Sequence, residues 1–363
     1  MPAPAWLPVR EELRDAVPYG APQLEASVRL DTNENPYGPS PAMAADVAQT
    51  VARVARDLNR YPDREARALR EDLAVHLSAD TGCPVSAEQV WAANGSNEVM
   101  LQLMQAFGGP GRAAVSFAPT YSMYPQYARD SCTRWVEGRR ADDFALDLAA
   151  ALALVRTEQP ALVVLTSPNN PTGTVLPAEH LRAVLDVAPG IVVVDEAYAE
   201  FRRASTPSAV SLLSEHRRLV VTRTMSKAFA LAGGRLGYLA ADPAVVEAVR
   251  VVRLPYHLSA VTQEVARVAL RHAPELLGRV DELRETRDDL VSALRALGVQ
   301  VPDSDANFVL FGRFADRHAV WQALLDAGVL VRETGPPGWL RVCVGTPDET
   351  TAFLTALEKV LTP

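Results

Sequence analysis

The sequence predicts an α/β fold, with a large, mostly parallel sheet domain flanked by helices and a smaller α+β domain after it. Three observations carry that reading. Short continuous apolar runs, Ala113–Phe117, Ala161–Leu165, Ile191–Val194 and Leu219–Thr222, alternate with stretches of helical period. Such runs, mostly rich in β-branched residues and bounded by Gly, Pro or Asn, read as strands buried on both faces of a parallel sheet. After Pro255 the pattern changes to one long helical stretch followed by separated strands and helices.

Taken in order, residues 1–40 are rich in proline and read as an extended arm that must lie on the body or on a partner subunit. Ala, Val and Leu recur at helical spacing over 42–57, 64–79 and 97–107, and further helices at 177–188 and 243–253 cover the sheet. The stretch 260–297 reads as one long helix, followed by strands near Asn307–Phe311, Val329–Arg332 and Leu340–Val344 and helices near 316–327 and 347–361. The expected division is an arm over 1–40, a large domain over 41–255 and a small domain over 256–363.

Composition narrows the function. An apolar fraction of 48% suits a globular enzyme, and a net charge of −8 argues against a nucleic-acid surface. Three cysteines, far apart, give neither a disulfide framework nor a zinc spacing, and six scattered histidines show no paired ligand spacing, so no metal is expected. The first residues show no charged segment followed by an apolar one, and no run of about 18 apolar residues occurs, so a cytoplasmic protein without a membrane span is expected.

Only two lysines occur, Lys227 and Lys359, against a large excess of arginine. A primary amine forms an exchangeable imine with a carbonyl group; a guanidinium does not. Lys227 follows the strand Leu219–Thr222, and the other apolar runs also end on chemistry-bearing residues: Asn170 after Ala161–Leu165, Asp195 after Ile191–Val194, Tyr121 after Ala113–Phe117. In open α/β sheets ligands bind beyond the carboxyl ends of the strands. Alone, Asn-Pro-Thr-Gly is an ordinary turn and Gly95-Ser96 an ordinary helix start. Together, in this order and each at a strand end, they point to one site.

Asp195, after four β-branched residues, needs a cationic partner, and a protonated pyridine nitrogen would serve. Lys227 supplies an imine-forming amine and then a base. Asn170 and Tyr198 suit a phenolate oxygen, and Tyr121 offers a stacking face. Gly95, Ser96 and Asn97 open a helix whose N–H groups favour a dianion, with Thr224, Ser226 and Arg235 to complete the cradle. The sum is pyridoxal 5′-phosphate.

The chain resembles the fold-type I, class II pyridoxal-phosphate aminotransferases, and among them the histidinol-phosphate aminotransferase family, from about Leu13 to residue 360. The segments that carry the likeness include Asp31-Thr-Asn-Glu-Asn-Pro-Tyr-Gly-Pro39, Arg60-Tyr-Pro-Asp63, Asn94-Gly-Ser-Asn-Glu98, Pro119-Thr-Tyr-Ser-Met-Tyr124, Ser167-Pro-Asn-Asn-Pro-Thr-Gly173, Arg223-Thr-Met-Ser-Lys-Ala-Phe229 and Leu340-Arg-Val-Cys-Val-Gly345. The resemblance implies that Lys227 is the imine-forming lysine, Asp195 the partner of the ring nitrogen, and Tyr61 a residue that reaches the cofactor phosphate of a neighbouring subunit in a homodimer. Asn97 departs from the family, many members of which carry Asp there, which puts a side-chain role for it in doubt. The implied reaction is imidazole-acetol phosphate plus L-glutamate giving L-histidinol phosphate plus 2-oxoglutarate. Glutamate offers a carboxylate and histidinol phosphate a phosphate; one arginine cluster, with Arg332 and Arg341 as candidates, serves both. Tyr19, Asn35 and Tyr256 are candidates for the pocket wall. The nearest rival is an aromatic-amino-acid aminotransferase of the same lineage, which would keep the cofactor site and change the pocket. A decarboxylase of the same fold would release carbon dioxide.

Overall fold

The computed structural model describes Pro4 and residues 6–362; Met1–Ala3 and Ala5 of the expected arm, and Pro363, lie outside the described residues. Its eleven strands are β1 (Val28–Arg29), β2 (Val90–Ala93), β3 (Ala113–Ala118), β4 (Arg134–Arg139), β5 (Leu162–Thr166), β6 (Ile191–Asp195), β7 (Leu219–Thr224), β8 (Gly237–Ala241), β9 (Phe308–Gly312), β10 (Val329–Leu330) and β11 (Trp339–Cys343). Seven of them form one sheet in the order β2-β8-β7-β6-β5-β3-β4. The strands from β7 to β4 run parallel, and β8 is antiparallel to both of its neighbours.

The continuous apolar runs explain the layering. Val163, Leu165, Val192, Val194, Leu219 and Val221 pack into one core, and the alternate residues Leu162, Val164, Ile191, Val193 and Val220 pack into a second core on the opposite face. Side chains alternate across a strand, so a run apolar at every position fills both layers. Two strands escape the sequence reading. β4 lies at the sheet edge and carries Arg134, Glu137 and Arg139, which break any apolar run. β8 opens on Gly237 and ends on two alanines, a weak strand signal that its place between β2 and β7 overrides.

The long helix expected over 260–297 is two helices, Ala260–Arg271 and Ala273–Ala296. Pro274 forces the break: it has no N–H to donate back into the preceding turn and sits at the start of the second helix. The second helix crosses between cores. Leu276, Val280 and Leu283 pack under the large sheet, while Leu290, Val291 and Leu294 pack with β9 and β11. β9 pairs antiparallel with β11, and β1 of the arm pairs with β10. The arm thus lies on the body as a short added strand, and residues 31–35 pass over the C-terminal ends of the parallel strands, where Thr32 meets Lys227 and Asn33 meets Tyr198. Among the described residues no helix is long and apolar enough to cross a membrane.

Candidate active site

Four strand ends and one helix start surround a cavity of about 310 Å³. β5 delivers Asn170, β6 delivers Asp195 and Tyr198, β7 delivers Thr224, Ser226 and Lys227, and β3 delivers Tyr121; all line the cavity. Ser96 and Asn97 reach it from the helix Gly95–Phe107, Arg235 from the turn before β8, Tyr19 from the arm, and Arg332 and Arg341 from the small domain.

Lys227 Nζ donates to the Thr32 carbonyl at 3.1 Å. Burial pulls its pKa down to about 8, and the Arg341 and Arg235 charges push the same way. The amine is therefore partly neutral near physiological pH, the state in which it is a nucleophile and a base. Asp195 is buried and accepts from the Tyr124 hydroxyl at 2.7 Å and from the Ala197 N–H at 3.1 Å. Burial raises its pKa, and neutral hydrogen-bond donors work against that rise. A buried carboxylate held by neutral donors, open to a cavity, suits a cationic ring nitrogen.

The opposite end of the cavity suits an anion. Gly95 begins its helix at φ +82°, and a Cβ on Gly237 would lie 2.1 Å from the Ser96 nitrogen, so β8 and the first turn of the helix approach as only glycine allows. The first N–H groups of a helix have no intrahelical partner. Glu98 in that turn is taken up by Asn94, accepting from its backbone N–H at 2.6 Å and its side-chain amide at 2.7 Å. The Thr224 and Ser226 hydroxyls sit 3.0 Å apart beside the guanidinium of Arg235, which also donates to the Ala232 carbonyl. The Asn97 side chain accepts from the Tyr121 hydroxyl at 3.5 Å. Tyr121 stands edge-on to Tyr19 and Tyr124, with ring centroids 6.3 and 5.5 Å away.

Arg332 and Arg341 face each other across an antiparallel bridge with two 2.9 Å backbone hydrogen bonds, and directly opposed residues share a face. Arg341 donates to Asn170 Oδ1 and to the Asp31 carbonyl, both at 2.7 Å, and its Nε is buried without a partner. Arg332 donates to the Gly20 carbonyl at 3.3 Å, and one of its terminal nitrogens is likewise buried and unpartnered. Two guanidiniums on one cavity wall suit an anion.

Four sequence candidates are not among the residues that line this cavity, and Gly95 is one of them, making the turn that presents Ser96 and Asn97. Tyr61 and Tyr256 stack on each other at the surface with centroids 4.3 Å apart, 79% and 40% exposed. Asn35 donates to the Ala228 carbonyl and accepts from the Tyr37 N–H, bracing the segment beside Lys227. The residues that the sequence reading missed are Tyr124, Thr32, Asn33 and Cys343. All sit inside segments already singled out, but pairing across the fold, not spacing, gives them their place.

The family model for class I and II aminotransferases matches residues 25–357, and the chain belongs to that family. It is an aminotransferase, and its cofactor is pyridoxal 5′-phosphate; the buried carboxylate, the amine and the anion cradle fit that group. Among its relatives are the histidinol-phosphate aminotransferases of Thermobifida fusca, 60% identical over 97% of this chain and 95% of the relative, and of Frankia casuarinae, 58% identical over 98% and 91%. The crystal structure of histidinol-phosphate aminotransferase from Sinorhizobium meliloti in complex with pyridoxal-5′-phosphate superposes with a TM-score of 0.84 at 26% identity, covering 93% of this chain and 91% of that one.

Proposed function

We propose that the enzyme moves an amino group between L-glutamate and imidazole-acetol phosphate, giving 2-oxoglutarate and L-histidinol phosphate, in L-histidine biosynthesis. The observation that carries the reading is the paired Arg332 and Arg341, with unpartnered buried donors, in the same cavity as Lys227. A guanidinium fork takes a carboxylate or a phosphate alike, so one subsite accepts both amino donors in turn. The names and identities of the relatives support the choice of substrates.

The roles follow from position. Pyridoxal phosphate, when bound, supplies an electron-withdrawing ring that makes the hydrogen on the substrate's nitrogen-bearing carbon acidic. Asp195 would hold the ring nitrogen protonated. Ser96 and Asn97, on the turn that Gly95 makes possible, with Thr224, Ser226 and Arg235, would hold the phosphate. Asn170 and Tyr198 would hold the ring oxygen and Tyr121 would cover the ring. Lys227 Nζ would take the proton from the carbon of the amino donor and, in the opposite half-reaction, give one to the corresponding carbon of the acceptor, and its lowered pKa keeps it in use near neutrality. Tyr19 closes the pocket wall from the arm, and Asn35 supports the lysine's segment.

The chain acts as a cytoplasmic homodimer of three units, 1–40, 41–255 and 256–363. The stacked Tyr61 and Tyr256, with Leu58, Val251 and Leu254 also exposed, offer an apolar surface for a second copy and bring Tyr61 to the partner's phosphate site.

A spectroscopic half-reaction tests the substrate. The cofactor-loaded protein is mixed with L-histidinol phosphate and, separately, with L-phenylalanine, and the loss of the cofactor's visible band is followed. Rapid loss with histidinol phosphate and slow loss with phenylalanine is expected. The reverse order would make the enzyme an aromatic-amino-acid aminotransferase.

A further inference from the structure

Asn33 and Cys343 are not part of the roles above, yet they complete a hydrogen-bonded chain that ends on Tyr198. Arg341 has donors and no acceptor, so the Asn170 atom that it reaches at 2.7 Å must be the oxygen. That turns the Asn170 amide nitrogen toward the Tyr198 hydroxyl, 3.4 Å away. On the other side, the Asn33 backbone N–H donates to Cys343 Sγ at 2.9 Å, and the thiol donates to Asn33 Oδ1 at 3.1 Å. The Asn33 amide nitrogen is thereby turned onto the same hydroxyl, at 3.0 Å.

Tyr198 Oη thus accepts from two amides. A phenolic hydroxyl has one proton to give. With its acceptor capacity taken up from both sides, that proton is left to point into the cavity that Tyr198 lines. Asn33 suits its place for a second reason: its φ is +54°, a left-handed conformation that Asn tolerates better than most residues.

We propose that Asn33, oriented by the Cys343 thiol, is a positioning residue that aims the Tyr198 proton at the ring oxygen of the bound cofactor. The inference rests on the placement of that oxygen given above. Burial pushes the Cys343 pKa up to about 11, which keeps the thiol a donor, and pushes that of Tyr198 up to about 12, which keeps its proton in place. Were the Asn33 amide reversed, its oxygen would draw the tyrosine proton away from the cavity.

The readout is the pH midpoint of the visible absorbance of the cofactor-loaded protein. A donor on the ring oxygen disperses negative charge there, and the adjacent Lys227 nitrogen then holds its proton less firmly. Tyr198→Phe is expected to raise the midpoint by about one pH unit, the value of one lost hydrogen bond. Asn33→Asp, which offers an acceptor where the amide donated, is expected to reproduce most of that rise in the parent and to add little in the Tyr198→Phe background. This non-additivity separates a diverted proton from the plain effect of a new charge. An equal rise in both backgrounds, or none in either, overturns the proposal. Cys343→Ala runs the same cycle with a smaller change, and Cys343→Ser, which keeps a donor, is expected to return the parent midpoint. Equal midpoints for Ala, Ser and parent overturn it too. If Tyr198→Phe itself leaves the midpoint unmoved, the ring oxygen does not lie at Tyr198, and the cofactor placement fails together with the inference.

Discussion

Two charged clusters lie back to back at the ends of β6 and β7, and they differ in one respect. In the first, fully buried Arg223 donates to Glu196 at 2.8 Å, to Glu200 and Asp80 at 3.1 Å each, and to Ser208 at 3.0 Å. Burial alone would lower its pKa, but Glu196 and Glu200 hold it well above the ordinary value. Cation and carboxylates pair with each other within the chain, with Glu200 Oε2 left unpartnered, and the cluster is a structural tie. The second is built from the next residues along the same strands, Asp195 and Thr224, together with Lys227, Arg332 and Arg341. There the carboxylate has neutral partners, the amine one carbonyl, and the guanidiniums spare donors. Alternation along a strand sends Glu196 and Arg223 to one side and their neighbours to the other. Burial of charge does not by itself mark a site: the first cluster sets charge against charge, whereas the second leaves its carboxylate and its amine with neutral partners beside the cavity.

The comparison yields tests of graded size. Lys227→Ala should lose several orders of magnitude in turnover while the cofactor-free protein unfolds at nearly the parent temperature. Near-parent turnover would end the mechanism. Asp195→Asn should cost roughly 10²–10³-fold in kcat and weaken cofactor retention, with little change in cofactor-free stability; equilibrium dialysis and denaturant melts read the two effects. Arg223→Leu should do the opposite, costing about 3–5 kcal/mol of stability by stranding buried carboxylates, whether or not cofactor is present. If its main effect were on cofactor binding, the division between the clusters would be wrong.

Arg341→Ala should raise KM for both glutamate and the phosphorylated substrate by roughly tenfold to a hundredfold. A change confined to glutamate would break the shared anion site. The smallest effect is one of pH. The folded pKa of Lys227, about 8, lies below the ordinary lysine value of 10.5, so between those values the unfolded chain binds more protons than the folded one. Stability of the cofactor-free protein should therefore gain from this group as pH rises from about 8 toward 10.5. Lys227→Met should remove that gain, as denaturant melts across the interval would report.

Much of this was legible in the sequence because the strand ends announce themselves. An apolar run followed at once by Asn, Asp or Lys places a reactive side chain at the edge of a parallel sheet, as at Asn170, Asp195 and Lys227. Tyr124, Asn33 and Cys343 were not legible. Their roles depend on partners 71, 165 and 310 residues away, and no local pattern encodes such pairings. The merged helix over 260–297 failed for a local reason, since Pro274 was passed over as a breaker. Tyr256, expected in the pocket wall, lies outside the cavity and stacks on Tyr61 instead, a pairing across 195 residues that no local pattern encodes.

With only two lysines in the chain, attachment of the cofactor to Lys227 can be read directly. The cofactor-loaded protein is reduced with borohydride, digested and mapped by mass spectrometry. The cofactor is expected on the peptide that contains Lys227, with none on Lys359. Label on Lys359, or none on either lysine, would contradict it.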